Sequence, residues 1–319
     1  MDKPNLDIVL RMQDNVTPLR DGQVSVDGFD LTIHDEEAMD GAFRRMVRTN
    51  EFAISELALT TYVAAREQGA EFTALPIFLV REFHHGAILF NRNAGITDPK
   101  QLAGQSVGVD RGYTVTTGVW AREILAKEHG LSPESVNWVL TSDDHVAEFR
   151  PPANTRQLEA GRDLRQELQT GALPATIGFF KEDIPAEYDN VVPLHADGLA
   201  AGLNAFDQRG HYPINHLMVV RNDVLARYPE LPKALFKAFT ASKQIYINRL
   251  RAGDIETPTP IDKMHQRILE RGADPLPYGI APNRALLEGY LDQCLSQGVL
   301  TQPVTLEDLF EPSTFDLIG

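Results

Sequence analysis

The chain has 319 residues, enough for two domains of ordinary size, and its 43% hydrophobic and 24% charged residues are those of a globular protein. A net charge of −15 argues against a nucleic-acid partner and leaves no basic face for a membrane surface. One cysteine, Cys294, excludes an intramolecular disulfide and a cysteine-built metal site. The opening residues lack a secretion-signal pattern and no run has the length of a transmembrane helix, so the expected location is cytoplasmic.

Residues 6–12 read as a first strand, ending near Gln13-Asp14-Asn15. Strand ends in α/β sheets are where ligands sit, which marks Asp14. Arg11 lies in an otherwise apolar strand, where a buried guanidinium needs a partner and a ligand is one choice. Residues 24–33 read as two extended pieces around Asp27-Gly28, a hairpin-like signal. An amphipathic helix is expected over 36–48, with Met39, Phe43 and Met46 inward. A short strand at 52–55 leads into a second helix that begins at Glu56. Strands follow at 72–78 and 86–91, with Arg81-Glu82-Phe83-His84-His85 between them.

Residues 98–104 read as one helical turn stopped by Gly104. The strand 106–109 then hands a glycine-containing loop to a helix over 117–129. Such a junction offers free backbone N–H groups and the positive end of a helix dipole, a seat for an anion. Arg111, Tyr113, Thr116 and Thr117 border it. A strand over 136–140 and a polar loop over 143–159 come next. A helix over 161–170 ends at Gly171, and strands are expected at 176–180 and 191–194. After a strong strand at 214–221, Asn222 caps a helix, and further helices are expected at 229–251, 261–271, 283–297 and 306–310. Trp120 and Trp138 read as core. Alternating strands and helices indicate an α/β protein with mainly parallel sheets.

This order of elements resembles the type II two-lobed fold of periplasmic solute-binding proteins. The resemblance implies one lobe from 1–93 and 213–319, a second from 94–212, crossings near 91–97 and 195–212, and a ligand cleft between the lobes. Within that superfamily several segments are similar to the 4,5-dihydroxyphthalate decarboxylase family. They are Asp21-Gly22, the 81–85 run, 104–109 with Trp120, Tyr212-Pro213-Ile214-Asn215-His216, and Pro277-Tyr278-Gly279-Ile280-Ala281-Pro282-Asn283-Arg284. The chain departs from that pattern at Arg11-Met12, at His84 in place of an arginine, and over 173–178.

The resemblance implies non-oxidative loss of CO₂ from a hydroxylated aromatic acid without an organic cofactor, because the phenol itself supplies electrons. The alternative is a solute-binding protein or sensor for a small anion. His216, on a strand leaving a crossing, is the first choice for general acid, and His85 the second. Arg81 is the expected carboxylate clamp, and Tyr278 is placed to wall the cleft and bond a phenol. A divalent metal, if held, would draw on His84, His85, His216 and Glu56. The expected partner is a small aromatic carboxylate, with no nucleic acid, no membrane, and room for a homo-oligomer.

Overall fold

The computed structural model describes residues 3–36 and 38–319. β1 (Asn5–Arg11) buries Leu6, Ile8, Val9 and Leu10. One turn of helix, α1 (Thr17–Arg20), precedes β2 (Asp30–Glu36). β2 runs parallel to β1, so no hairpin forms around Asp27-Gly28, and only the second of the two expected extended pieces becomes a strand. The helix expected from residue 36 begins later, at α2 (Met39–Thr49), with Met39, Phe43 and Met46 buried as its spacing requires. Glu36 ends β2, and Glu37 lies outside the described residues. β3 (Ile54–Ala58) is buried throughout and includes Glu56, which was expected to start a helix. α3 (Leu59–Glu67) follows without a loop, and β4 (Phe72–Arg81) closes this segment of chain.

β5 (Ile88–Asn91), β6 (Ser106–Val109), α4 (Thr116–His129), β7 (Asn137–Leu140) and β8 (Thr155–Gln157) form most of the second lobe. β8 falls inside the stretch expected to be loop. It is three residues long and pairs parallel with β7, too short for a periodic signal. α5 (Leu164–Thr170) ends at Gly171 with φ of 80°, as its sequence predicts. β9 (Ala175–Ile177) and β10 (Val191–Pro193) complete this sheet.

The second crossing is not plain linker. It contains α6 (Gly198–Arg209), whose start is capped by the Asp197 carboxylate accepting from the Ala200 N–H. β11 (Ile214–Arg221) returns to the first sheet. α7 (Asn222–Arg227), α8 (Leu231–Ala252), α9 (Pro260–Leu269), α10 (Arg284–Ser296) and α11 (Leu306–Leu309) pack around it.

The two sheets have the orders β2-β1-β3-β11-β4 and β10-β5-β9-β6-β7-β8. Parallel pairings join β1 to β2 and β3, and β6 to β7 and β9, and β7 to β8. The pairings of β11 with β3 and β4, and of β5 with β9 and β10, are antiparallel. These belong to strands that enter or leave a crossing. β5 pairs entirely within the second sheet, so the first crossing spans 82–87 rather than 91–97, and the expected boundary at residue 93 moves back before β5. The two crossings touch backbone to backbone. A Cβ on Gly198 would stand 2.5 Å from the Gly86 Cα, so only glycine permits that approach.

Candidate functional site

Residues from both lobes surround a cavity of about 310 Å³. His216 reaches it from β11. The β11–β4 register shifts on either side of this residue, between Ile214 and His216 and again between His216 and Met218. Such bulges re-aim a side chain out of the regular alternation. The His216 Nδ1 lies 2.6 Å from the Glu56 Oε1, and the other oxygen of Glu56 accepts the Arg11 backbone N–H at 2.9 Å. Glu56 is fully buried, while His216 is partly exposed to the cavity. A carboxylate accepting from Nδ1–H leaves Nε2 as the free atom of the ring. This pair is therefore built to orient an imidazole and fix its tautomer.

Phe43 stands edge-on between two imidazoles, 5.1 Å from His216 and 5.7 Å from His145 by ring centres. Both His145 nitrogens are occupied, Nε2 by the Asp40 carboxylate at 2.7 Å and Nδ1 by the Thr61 hydroxyl at 2.8 Å. The bond from His145 holds the Asp40 carboxyl well below the usual carboxylate range, against the opposing effect of burial. His145 thus serves as a wall rather than as a proton donor.

The same corner clamps one lobe on the other. Arg44 on α2 donates to the Asp143 carbonyl at 2.9 Å, and Arg48 donates to the His145 and Asp144 carbonyls at 2.9 and 3.0 Å. Arg48→Ala should remove two charge-assisted bonds of this clamp. The expected result is an apparent ligand affinity lower by about tenfold, from about 1.5 kcal/mol of lost closure. Isothermal titration with a bound aromatic acid measures it, and unchanged affinity would show that the clamp does not govern closure.

Two helix starts line the cavity, α3 after Ala58 and α4 after Val115. The Thr116 hydroxyl accepts from both the N–H and the hydroxyl of Thr60, which ties the two helix starts together. Thr117 and Arg111 line the same wall. Arg111 holds a left-handed backbone, φ 69°, which costs a non-glycine residue about 1 kcal/mol. Its N–H is fixed on the Thr141 hydroxyl at 2.7 Å, and its half-exposed guanidinium pairs with the Asp110 carboxylate at 3.4 Å. Of the residues expected to border an anion seat at this junction, Arg111, Thr116 and Thr117 line the cavity and Tyr113 does not.

Glu82, between the cavity and an adjoining larger one of about 580 Å³, was not singled out from sequence. Burial pushes its carboxyl up to about 7, tempered by Arg11 and by a bond from Asn215 at 3.3 Å. Behind it, the Asn215 carbonyl oxygen accepts from the His84 Nε2 at 2.8 Å. His84 is buried and held neutral by desolvation, its pKa lowered to about 3. Its role is to hold Asn215.

No family model matches the chain. Along an alignment of 333 positions covering 99% of both chains, it is 28% identical to 4,5-dihydroxyphthalate decarboxylase of Comamonas testosteroni. It is 34% identical over 142 residues to the enzyme of the same name from Pseudomonas putida, covering 44% of this chain and 54% of that protein. The chain is thus similar along its whole length to a 4,5-dihydroxyphthalate decarboxylase. Its fold is that of the periplasmic binding proteins. The periplasmic aliphatic sulphonate binding protein SsuA from Escherichia coli superposes with a TM-score of 0.56 at 12% identity, covering 100% of this chain and 95% of that one.

Of the residues singled out from sequence, His216, Glu56, Arg11, Arg111, Thr116 and Thr117 converge at the cavity. Arg11 does so as an exposed side chain at a strand end, not as a buried one. Arg81 borders the cavity, but its guanidinium is committed elsewhere. It donates to the Tyr212 and Pro277 carbonyls at 2.7 and 3.1 Å and to the Asn283 side-chain oxygen at 2.5 Å. The Pro277–Arg284 run is thus the cradle of Arg81, not a substrate wall. Tyr278 is fully buried against Phe236 and under Lys243, away from the cavity. Tyr113 is buried with its hydroxyl on the Gln297 carbonyl and Arg122 stacked on its ring. Asp14 sits near Asp262 and Arg249, where burial and Asp262 raise its pKa. His85 faces away, 3.1 Å from Glu128. The set His84, His85, His216 and Glu56 therefore does not converge: His84 is turned onto Asn215 and His85 onto Glu128, while only His216 meets Glu56.

Proposed function

We propose that this protein catalyses the non-oxidative decarboxylation of a hydroxylated aromatic acid, with 4,5-dihydroxyphthalate as the model substrate and protocatechuate as its product. The observation that carries this reading is the His216–Glu56 pair at a cavity whose other wall is two helix starts, with Arg11 and Arg111 beside them, Arg111 in contact with Asp110 at 3.4 Å. Full-length similarity to a protein named for this reaction supports the substrate class.

One ring carboxylate would lie at the starts of α3 and α4 with Arg11 and Arg111, where dipole ends and guanidinium groups offset its charge. The second would sit beside His216. The ring carbon that bears it takes a proton first, using π electrons pushed from the para hydroxyl; the carbon–carbon bond then breaks, its electron pair returns to the ring, and CO₂ leaves. The proton for the new C–H bond comes from the His216 Nε2, and Glu56 stabilises the imidazolium that donates it. Electron density comes from the ring hydroxyl para to the reacting carbon. Glu82 is the group placed to accept that hydroxyl's proton. Its raised pKa makes it a stronger base than an ordinary carboxylate.

A base must be ionised to act, so kcat/KM should rise with pH through about 7 on account of Glu82. Glu82→Gln should lower the plateau and remove that ascending limb. A variant that keeps the limb would assign it to another group. The activity itself is tested by measuring CO₂ release, with product mass, on 4,5-dihydroxyphthalate and a panel of hydroxybenzoates. Turnover with protocatechuate formed supports the reading. A thermal shift with an aromatic acid but no CO₂ from any of them would replace it with ligand binding alone.

A further inference from the structure

Away from this cavity, four titratable side chains gather where α4 ends against both crossings. Glu128 and His129 occupy the last turn of α4, His195 lies between β10 and α6, and His85 opens the short turn before β5. One ligand atom from each of Glu128, His129 and His195 lies within 4.8 Å of the others. The rings of His85 and His129 both stand 5.4 Å from that of His195. We propose that Glu128, His129 and His195, with His85 beside them, form a site for one divalent transition-metal ion of the zinc type that pins α4 to the two crossings.

The hydrogen-bond inventory is the second observation. The His129 Nε2, the His195 Nε2 and the His85 Nδ1 are buried with no hydrogen-bond partner among the described residues. Buried ring nitrogens without partners are costly, and three in one cluster are unusual. A metal ion held by Glu128, His129 and His195 would satisfy the two histidine ligands of that group at once. Glu128 takes His85 at 3.1 Å and Arg209 at 2.5 Å, both on Oε1, which leaves Oε2 for an ion. These bonds outweigh burial and keep the carboxyl ionised. Two imidazoles and one carboxylate suit zinc or cobalt better than calcium or magnesium. None of these four residues lines the His216 cavity, so the site stands independently of the proposed reaction.

The test uses tag-free protein stripped with chelator and titrated with Co²⁺, then with Zn²⁺ in competition. One equivalent of cobalt should bind with visible ligand-field bands that zinc abolishes, and zinc should raise the melting temperature. His129→Ala and His195→Ala should each weaken binding by roughly 100-fold, whereas His34→Ala, on β2, should bind as the wild type does. Circular dichroism confirms that each variant is folded. A wild-type protein that binds no cobalt and whose melting temperature zinc leaves unmoved would overturn the proposal. So would a folded His195→Ala variant with wild-type affinity.

Discussion

His216→Asn should leave a folded protein that binds substrate with a near-normal KM and releases CO₂ about 10²–10⁴-fold more slowly, the usual range for loss of a general acid. Asparagine is the informative choice because its side-chain N–H₂ can still donate to the Glu56 carboxylate, which is fully buried at 2.6 Å from the histidine. Alanine would remove that donor as well and would add about 1–3 kcal/mol of destabilisation from a carboxylate left short of partners. Glu56→Gln should be impaired comparably, since an amide turned toward Nδ1 imposes the other tautomer. Single-turnover CO₂ release, with KM and kcat measured separately, decides the matter. A His216→Asn enzyme with wild-type kcat would remove His216 from the chemistry.

Arg81→Ala should act on stability rather than on ligand affinity. The guanidinium is 3% exposed and joins the second crossing, through the Tyr212 carbonyl, to the 277–284 segment, through the Pro277 carbonyl and Asn283. Desolvation lowers its pKa to about 10, so it remains charged at neutral pH. Removing it leaves the Tyr212 carbonyl and the Asn283 side-chain oxygen without their donor, while the Pro277 carbonyl keeps the Asn283 amide, and about 3 kcal/mol of stability should go with it. For a chain of this size that corresponds to a fall in melting temperature on the order of 6–12 °C. Arg81→Lys should recover little, because one ammonium cannot reproduce a planar fork spread over three acceptors. Thermal and urea unfolding measure the loss, and calorimetry on the folded variant measures affinity. A variant of wild-type stability with weakened binding would return Arg81 to the substrate.

The different fates of Arg81 and His216 show which kinds of information were local. His216 stood on a strand leaving a crossing, which pointed toward the cleft, and a bulge in the β11–β4 pairing then turns its side chain into the cavity. Arg81 carried the same sort of signal, an arginine at a strand end. Its partners, however, are two backbone carbonyls and an amide 131 to 202 positions away. A carbonyl has no residue-specific signature, so nothing in the sequence separated a structural arginine from a substrate clamp. Glu82 was within view in the 81–85 run, yet its importance rests on burial between two cavities, which no window of sequence records. Asp40 and His145 lie 105 positions apart, and neither belongs to a motif.

What the residues settled on their own was short in range. Glycine at the end of α4 and α5, the Asp98 capping box before the 99–102 turn, the stripe of Met39, Phe43 and Met46, and the apolar run of β11 all act within a turn or a strand. The alternation of these elements carried the fold class. Tertiary structure decided the rest: that β5 belongs to the second sheet, that a bulge turns His216 inward, and that α2 grips the 143–145 segment of the opposite lobe. The physical reason is that a cavity between two lobes is made of contacts far apart in the chain. Their geometry depends on how two crossings, packed glycine to glycine at Gly86 and Gly198, set one sheet against the other.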